Sequence, residues 1–220
     1  MRSIALDIET TGLNPQEGHK IVEIGCVELI NNFPTGKVWQ KYINPQKSMP
    51  LEAFKVHGLS DEFLYDKQTF PEIAKEFLEF IDTANLIIHN AKFDLSFINH
   101  ELEEINLSSI DSEKNKIIDT VLVARKIFPG QSVSLDALCK RYKVNTERKK
   151  HGALLDAELL TEVFLEMHGG RQQHINLDTE NSRSKKENLS IESKYSRKVY
   201  KLTDEEIEKH STLISYINNY

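Results

Sequence analysis

Two carboxylates near the amino terminus are the first side chains in this sequence that could do chemistry. Asp7 and Glu9 lie two positions apart in a segment, residues 3–9, in which apolar side chains alternate with the others. Residues two apart in a β-strand project from the same face of the sheet. A buried, unpaired carboxylate is costly, and a divalent cation with oxygen ligands would compensate for that cost. A pair of strand-end carboxylates that face water is the alternative.

Two further acids occupy positions where helical periodicity predicts an apolar residue. Asp94 shares a stripe with Ile98 and Leu102, and Asp156 lines up with Leu160 on a later helix. A structural salt-bridge network is the alternative, but neither stripe has a Lys or Arg one or two turns away. Four acids in one pocket would repel each other without cations. The pattern therefore predicts two divalent cations, Mg²⁺ or Mn²⁺, in a phosphoryl-transfer site.

A histidine completes this set of candidate residues. His151 lies five residues before Asp156, just ahead of the helix that carries that acid. A histidine in such a place can take a proton from an attacking water near neutral pH. On its own it would be interpreted as a surface histidine at a helix start. Beside the predicted metal ligands it is the candidate general base.

A mixed α/β sheet with helices packed on it is the predicted scaffold for these side chains. Three strands come first, and their short, turn-rich connections favour antiparallel pairing. Helices and strands then alternate, which is typical of helices packed on a sheet. The predicted strands are 3–9, 21–29, 38–43, 86–88 and 117–118. The predicted helices are one after Pro71 with an apolar stripe over 73–81, one that starts near Asp94 with a stripe over 97–105, and three at 121–127, 135–142 and 153–167.

Composition divides the chain and limits its class. Residues 1–170 form the predicted catalytic domain, the polar stretch 171–198 is a predicted flexible linker, and 199–220 is a predicted docking helix opened by a capping box at Thr203–Glu206.

There is no apolar run of about 20 residues and no signal peptide, which predicts a cytoplasmic protein with no membrane contact. Cys26 and Cys139 form no C-x-x-C pair and are expected to be buried hydrophobes.

Three motifs together resemble the exonuclease motifs of the DEDDh superfamily. They are Asp7-Ile-Glu9-Thr-Thr-Gly12-Leu13, His89-Asn90-Ala-Lys-Phe-Asp94 and His151-Gly-Ala-Leu-Leu-Asp156, and the likeness covers residues 1 to 168. The resemblance implies a ribonuclease H-like sheet with a two-metal 3′→5′ exonuclease site. It also implies that Asp7, Glu9, Asp94 and Asp156 hold the metals and that His151 is the general base.

Within the superfamily, the sequence is similar to the proofreading (epsilon) subunits of bacterial DNA polymerase III. The segment Glu52–Gly58 resembles their nucleotide-contacting segment, which implies that Glu52 and His57 contact the single-stranded 3′ end of DNA. The same resemblance implies substrate contacts from three of the metal ligands, Asp7, Glu9 and Asp156. The tail 203–210 is similar to their polymerase-binding segment, so residues 199–220 are expected to bind the polymerase (alpha) subunit.

The net charge of −6 is unusual for a protein that acts on DNA. We therefore expect metal ions and the polymerase partner to supply most of the positive charge that holds the substrate. A shorter pattern, 172–177, runs Gln-Gln-His-Ile-Asn-Leu and resembles a sliding-clamp-binding peptide. Ordinary linker residues are the alternative for this stretch.

Two other functions compete with proofreading of mispaired 3′ ends. An RNA-trimming enzyme of the same superfamily would use the same chemistry and differ in its recognition of the 2′ position. Such an enzyme has no need of a tethered docking helix, so residues 199–220 argue against it. A scaffold subunit with an inactive exonuclease fold is the second alternative. The presence of all five signature residues argues against inactivity.

Overall fold

A single five-stranded mixed sheet organises the computed structural model, which describes residues 1–111, 113–145 and 151–169. The predicted linker 171–198 and docking helix 199–220 lie outside these residues. The strand order is β3-β2-β1-β4-β5, with β1–β2–β3 antiparallel and β1, β4 and β5 parallel. The strands are β1 Arg2–Thr10, β2 Ile21–Ile30, β3 Phe33–Tyr42, β4 Asn85–Ile88 and β5 Ile117–Asp119.

Helices pack on both faces of this sheet and confirm the predicted α/β class. Helices α1 and α2 have no counterpart among the predicted elements. None of the described helices is long and apolar enough to cross a membrane. The helices are α1 Leu51–His57, α2 Asp61–Leu64, α3 Phe70–Ile81, α4 Ala91–Glu104, α5 Thr120–Ile127, α6 Leu135–Tyr142 and α7 Ala153–Met167.

The β2–β3 hairpin is tighter than the sequence predicted. Asn31 and Asn32 both have positive φ angles, 51° and 64°, as two-residue hairpin turns require. Strand β3 therefore begins at Phe33, not at residue 38 as predicted, and Pro34 lies within it. Proline is tolerated here because β3 is an edge strand.

The alternation of side chains along β1 separates two cores. Ile4, Leu6 and Ile8 face one side, where they pack with side chains of α3 and α4. Ala5 faces the other side and packs with side chains of α7. Asp7 and Glu9 follow Ala5 at intervals of two, so they share the α7 face. Both predicted buried cysteines are indeed buried.

Gly25 allows α7 to lie directly on the sheet beside Asp7. It pairs with Asp7 across the β1–β2 ladder, so both residues face α7. A Cβ atom at position 25 would lie 2.2 Å from the Leu154 backbone nitrogen and 2.3 Å from the Ala153 carbonyl carbon. These distances are far below van der Waals contact. The missing side chain therefore determines how close the first turn of α7, with Asp156, comes to β1.

We expect Gly25→Ala to lower both stability and exonuclease activity, because the methyl group must push the start of α7 away from β1. Overpacking of this kind costs about 1–3 kcal/mol of unfolding free energy. Urea denaturation and initial rates of nucleotide release measure the two effects. Gly152→Ala is the control, because its Cβ would meet only Glu23 Oε2 at 3.8 Å. Wild-type stability and rate in Gly25→Ala would contradict this account of the packing.

Candidate active site

The two carboxylates of β1 lie where that strand extends beyond its parallel neighbour. The pairing of β1 with β4 ends at Leu6 and Ile88, so Asp7 and Glu9 follow the last paired residue. Both side chains are half-buried. The carboxyl-terminal edge of parallel strands is where open α/β sheets place ligands. The predicted pair therefore lies at the edge where a site is expected.

Asp94 reaches the same edge from α4, which packs on the opposite face of the sheet. It lies in the first turn of α4 and is 3% exposed. Burial raises the pKa of its carboxyl well above the usual range, and the charge of Asp119 raises it further. The backbone N–H groups of Asp94 itself and of Ile8 donate to the carboxyl and oppose that rise. The contact with Ile8 places the Asp94 carboxyl against the β1 backbone between Asp7 and Glu9.

The structure brings together Glu9, His151 and Asp156 most closely. One potential ligand atom from each of the three lies within 4.8 Å of the others. His151 Nδ1 lies 2.9 Å from Asp156 Oδ2. This compact group does not include Asp7, which lies two residues before Glu9 on β1, or Asp94, whose carboxyl reaches the Ile8 backbone from α4. The five predicted residues thus meet at one sheet edge, with three in direct proximity.

The exposure of the histidine differs from that of its partner. The Asp156 side chain is 7% exposed, whereas that of His151 is 43% exposed. A carboxylate only accepts hydrogen bonds, so Nδ1 of His151 carries the proton in this pair. Nε2 is then the basic nitrogen of the neutral ring, on a side chain that water can reach. This arrangement suits a general base.

A cavity of about 560 Å³ adjoins these residues. Its volume falls within the usual range for sites that bind small molecules. Glu9 lines it from β1, Phe93 from α4, and Glu52, Val56 and His57 from α1. The His151 backbone N–H donates to the Val56 carbonyl oxygen at 3.3 Å, which ties the candidate base to α1. The structure therefore places Glu52 and His57 in the same cavity as Glu9.

Comparisons with known proteins agree with this geometry. The family model described as "Exonuclease" matches residues 4–164. The DNA polymerase III subunit epsilon of Rickettsia conorii is 48% identical, over 99% of this chain and 96% of its own length. The same subunit from Escherichia coli is 44% identical, over 98% and 93%. The chain belongs to the DNA polymerase III epsilon subunit family. It is a DNA 3′→5′ exonuclease, as the sequence predicted.

Solved structures show the same fold at lower identity. The nuclease domain of 3′hExo, a DEDDh family member bound to rAMP, superposes with a TM-score of 0.67 at 16% identity and covers 76% of this chain and 92% of that one. Exonuclease X in complex with 5′ overhanging duplex DNA gives 0.59 at 23%, over 76% and 90%. These likenesses confirm the predicted ribonuclease H-like fold of this epsilon-family chain.

Asp119 is a site residue that the sequence analysis missed. Its Oδ2 accepts the backbone N–H of Ala91, the first residue of α4, at 3.2 Å. Its Oδ1 accepts the N–H of Val121 at 2.8 Å and so caps α5. One side chain therefore anchors the helix that carries Asp94 and starts the next helix. An aspartate between the predicted strand 117–118 and the helix that follows is the usual signal of an N-cap.

We expect Asp119→Ala to destabilise the protein by about 1–2 kcal/mol, the usual cost of losing a cap, and to slow exonuclease activity because α4 loses an anchor. Asp119→Asn should keep most of the stability, since asparagine caps helices equally well.

Ser134→Ala is the matched control for this pair of variants. It removes the cap of α6, whose hydroxyl accepts the Ala137 N–H at 3.3 Å, without touching α4. It should lower the midpoint of urea denaturation but leave the rate of the folded enzyme unchanged. Equal rates in Asp119→Ala and Ser134→Ala would refute the positioning role of Asp119.

Proposed function

We propose that this epsilon-family exonuclease removes mispaired 3′-terminal nucleotides by two-metal-ion catalysis and releases deoxynucleoside monophosphates. The observation that supports this best is the group of Glu9, His151 and Asp156 within 4.8 Å beside a nucleotide-sized cavity. A mispaired end unpairs more readily than a paired one, so a site that takes single strands selects mismatches without reading sequence.

The donor atoms at this edge fit divalent cations of the hard type. Asp7, Glu9, Asp94 and Asp156 offer carboxylate oxygens, which Mg²⁺ and Mn²⁺ prefer. The raised pKa of Asp94 has burial and a neighbouring negative charge as its causes, and both would be offset by bound cations. We propose that these four residues hold two such ions. When bound, the ions supply a hydroxide-like nucleophile at neutral pH and stabilise charge on the departing 3′ oxygen.

His151 takes the proton from the attacking water in this proposal. Asp156 accepts from Nδ1, which holds the ring in place and leaves Nε2 as the basic atom. The same carboxylate stabilises the imidazolium that forms. The hydrogen bond from the His151 backbone to Val56 keeps this segment against the wall of the cavity.

The cavity holds the terminal nucleotide in this proposal. The Leu59 N–H donates to His57 Nδ1 at 3.0 Å, so the neutral His57 ring carries its proton on Nε2. The His57 side chain lines the cavity, where we propose that it contacts the terminal nucleotide. Glu52 is an exposed acceptor five residues earlier on α1, suited to the 3′ hydroxyl. Asp7, Glu9 and Asp156 contact the scissile phosphate at the edge of the sheet where they lie together.

We expect Asp7→Ala and Asp156→Ala to abolish cleavage without unfolding the domain, because each removes a cation ligand. His151→Ala should slow cleavage by ~10²–10⁴-fold, the usual contribution of a positioned general base. The assay follows mononucleotide release from a 3′-labelled DNA strand and from its RNA equivalent, with Mg²⁺ and with chelator.

His100→Ala is the matched control for this series, since His100 lies on α4 and pairs with Glu104. Near-normal rates in the acid variants would exclude the assigned roles. Preferential loss of the RNA strand would indicate an RNA-trimming enzyme, which shares the carboxylates but reads the 2′ position.

The carboxyl-terminal segments are proposed to attach the exonuclease to the replicative polymerase of a bacterial cytoplasm. Residues 1–170 then form the exonuclease domain, 171–198 a linker, and 199–220 the segment that binds the alpha subunit. The capping box at Thr203–Glu206 supports a helix in that segment. We also propose residues 172–177 as a contact for the sliding clamp, supported by the pattern of Gln172, Ile175 and Leu177.

Deletion of residues 199–220 should abolish binding to the alpha subunit, because it removes the whole proposed docking helix. Exonuclease activity on free oligonucleotides should be unchanged, since every proposed catalytic residue lies before residue 170. Size-exclusion chromatography of the mixed subunits measures the first effect, and the 3′-label assay measures the second. Co-elution of the truncated chain with the alpha subunit would rule out this docking segment.

A further inference from the structure

A buried glutamate on β2 faces the same side of the sheet as the candidate metal ligands. Glu23 pairs directly with Glu9 across the β1–β2 ladder, so both side chains project toward α7. The Cβ atoms of directly paired residues lie about 4.5–5.5 Å apart, and like charges in that position destabilise a sheet. Glu23 is nevertheless only 2% exposed. It forms no ion pair with any residue that the structure describes, so nothing within the described chain neutralises its charge.

Only one of the two carboxylate oxygens of Glu23 accepts a hydrogen bond within the described residues. Gln40 Nε2 donates to Oε1 at 2.8 Å and to the Tyr42 hydroxyl oxygen at 3.1 Å. Burial raises the pKa of the Tyr42 hydroxyl, and the negative charge of Glu23 raises it further. Gln40 therefore fixes the orientation of the carboxyl group and leaves Oε2 as an acceptor for a donor from outside the chain.

The second oxygen of Glu23 lies at the start of α7. Oε2 is 3.8 Å from the position that a Cβ atom of Gly152 would take. Gly152 is the N-cap of α7 and directly follows the candidate base His151. Glu9 and His151 belong to the group whose ligand atoms lie within 4.8 Å of one another, and Glu23 does not. Oε2 therefore lies beside the proposed cation site but outside its compact ligand group.

A purely structural role accounts for only part of this arrangement. A carboxylate near the amino terminus of α7 is favoured by the helix dipole, and the N-cap of α7 has no side-chain hydrogen bond of its own. Among the described residues, however, no N–H group of α7 donates to Glu23. The helix dipole also gives no reason for a second carboxylate directly opposite Glu9, where repulsion opposes it.

We propose that Glu23 is a positioning residue of the cation site, whose Oε2 accepts a hydrogen bond from a water retained by the cation at Glu9. This inference rests on the proposed function, in which Glu9 is a cation ligand. Mg²⁺ dehydrates reluctantly and usually keeps several waters in a protein site. Outer acceptors of this kind orient the groups bound to a metal. The charge of Glu23 is unfavourable beside Glu9 alone and becomes favourable when a cation binds between them and water.

The test measures cation binding by the full chain without DNA. Glu23→Gln keeps the size of the side chain but removes its charge, and Gln40→Ala keeps the charge but removes the group that orients it. Glu28→Gln is the matched control, since Glu28 is a buried acid five residues further along β2, about 17 Å away. It pairs with Ile4 and accepts from Arg2, away from the active-site edge. Electron paramagnetic resonance of free Mn²⁺ gives the dissociation constants.

We expect Glu23→Gln to weaken Mn²⁺ binding by about 10–100-fold, the usual effect of losing an outer partner of a metal site. Gln40→Ala should weaken binding in the same direction and by less, and Glu28→Gln should bind as the unaltered chain does. In the nuclease assay, the Mg²⁺ concentration for half-maximal rate should rise in Glu23→Gln. KM for the DNA strand at saturating Mg²⁺ should stay unchanged.

Urea denaturation in chelator separates this role from a structural one. Without a cation, Glu23→Gln removes the repulsion with Glu9, so the midpoint should not fall. A lower midpoint together with unchanged Mn²⁺ affinity would make Glu23 a support of α7 and overturn the proposal. An equal loss of Mn²⁺ affinity in Glu28→Gln would also overturn it. If Glu23→Gln does not fold, unchanged affinity in Gln40→Ala overturns the proposal and weakened affinity supports it. Failure of the unaltered chain to bind Mn²⁺ would instead overturn the proposed function.

Discussion

Repulsion between carboxylates at one edge of the sheet is the constraint on which the rest of the structure depends. Asp7, Glu9, Asp94 and Asp156 meet there, and Asp119 adds its charge nearby. Like charges this close repel each other and favour separation of the elements that carry them. The fold must therefore hold three independent elements together against that repulsion. The negative charge that the proposed cations would neutralise is present before any ion binds, so the proposed metal affinity and the repulsion share one origin.

The sheet resists the repulsion because it is clamped from both faces. On one face, α7 lies directly on Gly25, and its side chains Ala157, Leu160 and Phe164 pack against the sheet. On the other face, α4 is held by its own apolar stripe and by the bond from Ala91 to Asp119. The packing of α7 and α4 on the sheet thus lies next to the carboxylates that repel each other. Residues without any chemistry of their own, such as Gly25, therefore help to position the acids.

The sequence predicted the parts of the site that periodicity encodes. Alternation along β1 put Asp7 and Glu9 on one face, and the anomaly of an acid on an apolar stripe identified Asp94 and Asp156. These arguments depend only on local spacing. The sequence could not show that α4 and α7 lie on opposite faces, because that depends on packing between distant elements. It also missed α1 as a helix, since the cavity wall of Glu52 and Val56 is mostly exposed and has no buried stripe.

For DNA binding, the positions of the charged residues in this chain matter more than its net charge. An acidic total would disfavour DNA if the charges were mixed evenly, since both ends of the substrate would be repelled. Here four acids concentrate at the sheet edge where cations are proposed to reverse their effect. At that edge, the proposed cations would convert negative charge into a binding site for the strand. The net charge of −6 then limits nonspecific affinity for DNA, which suits an exonuclease that must act at an end and release the strand after each check.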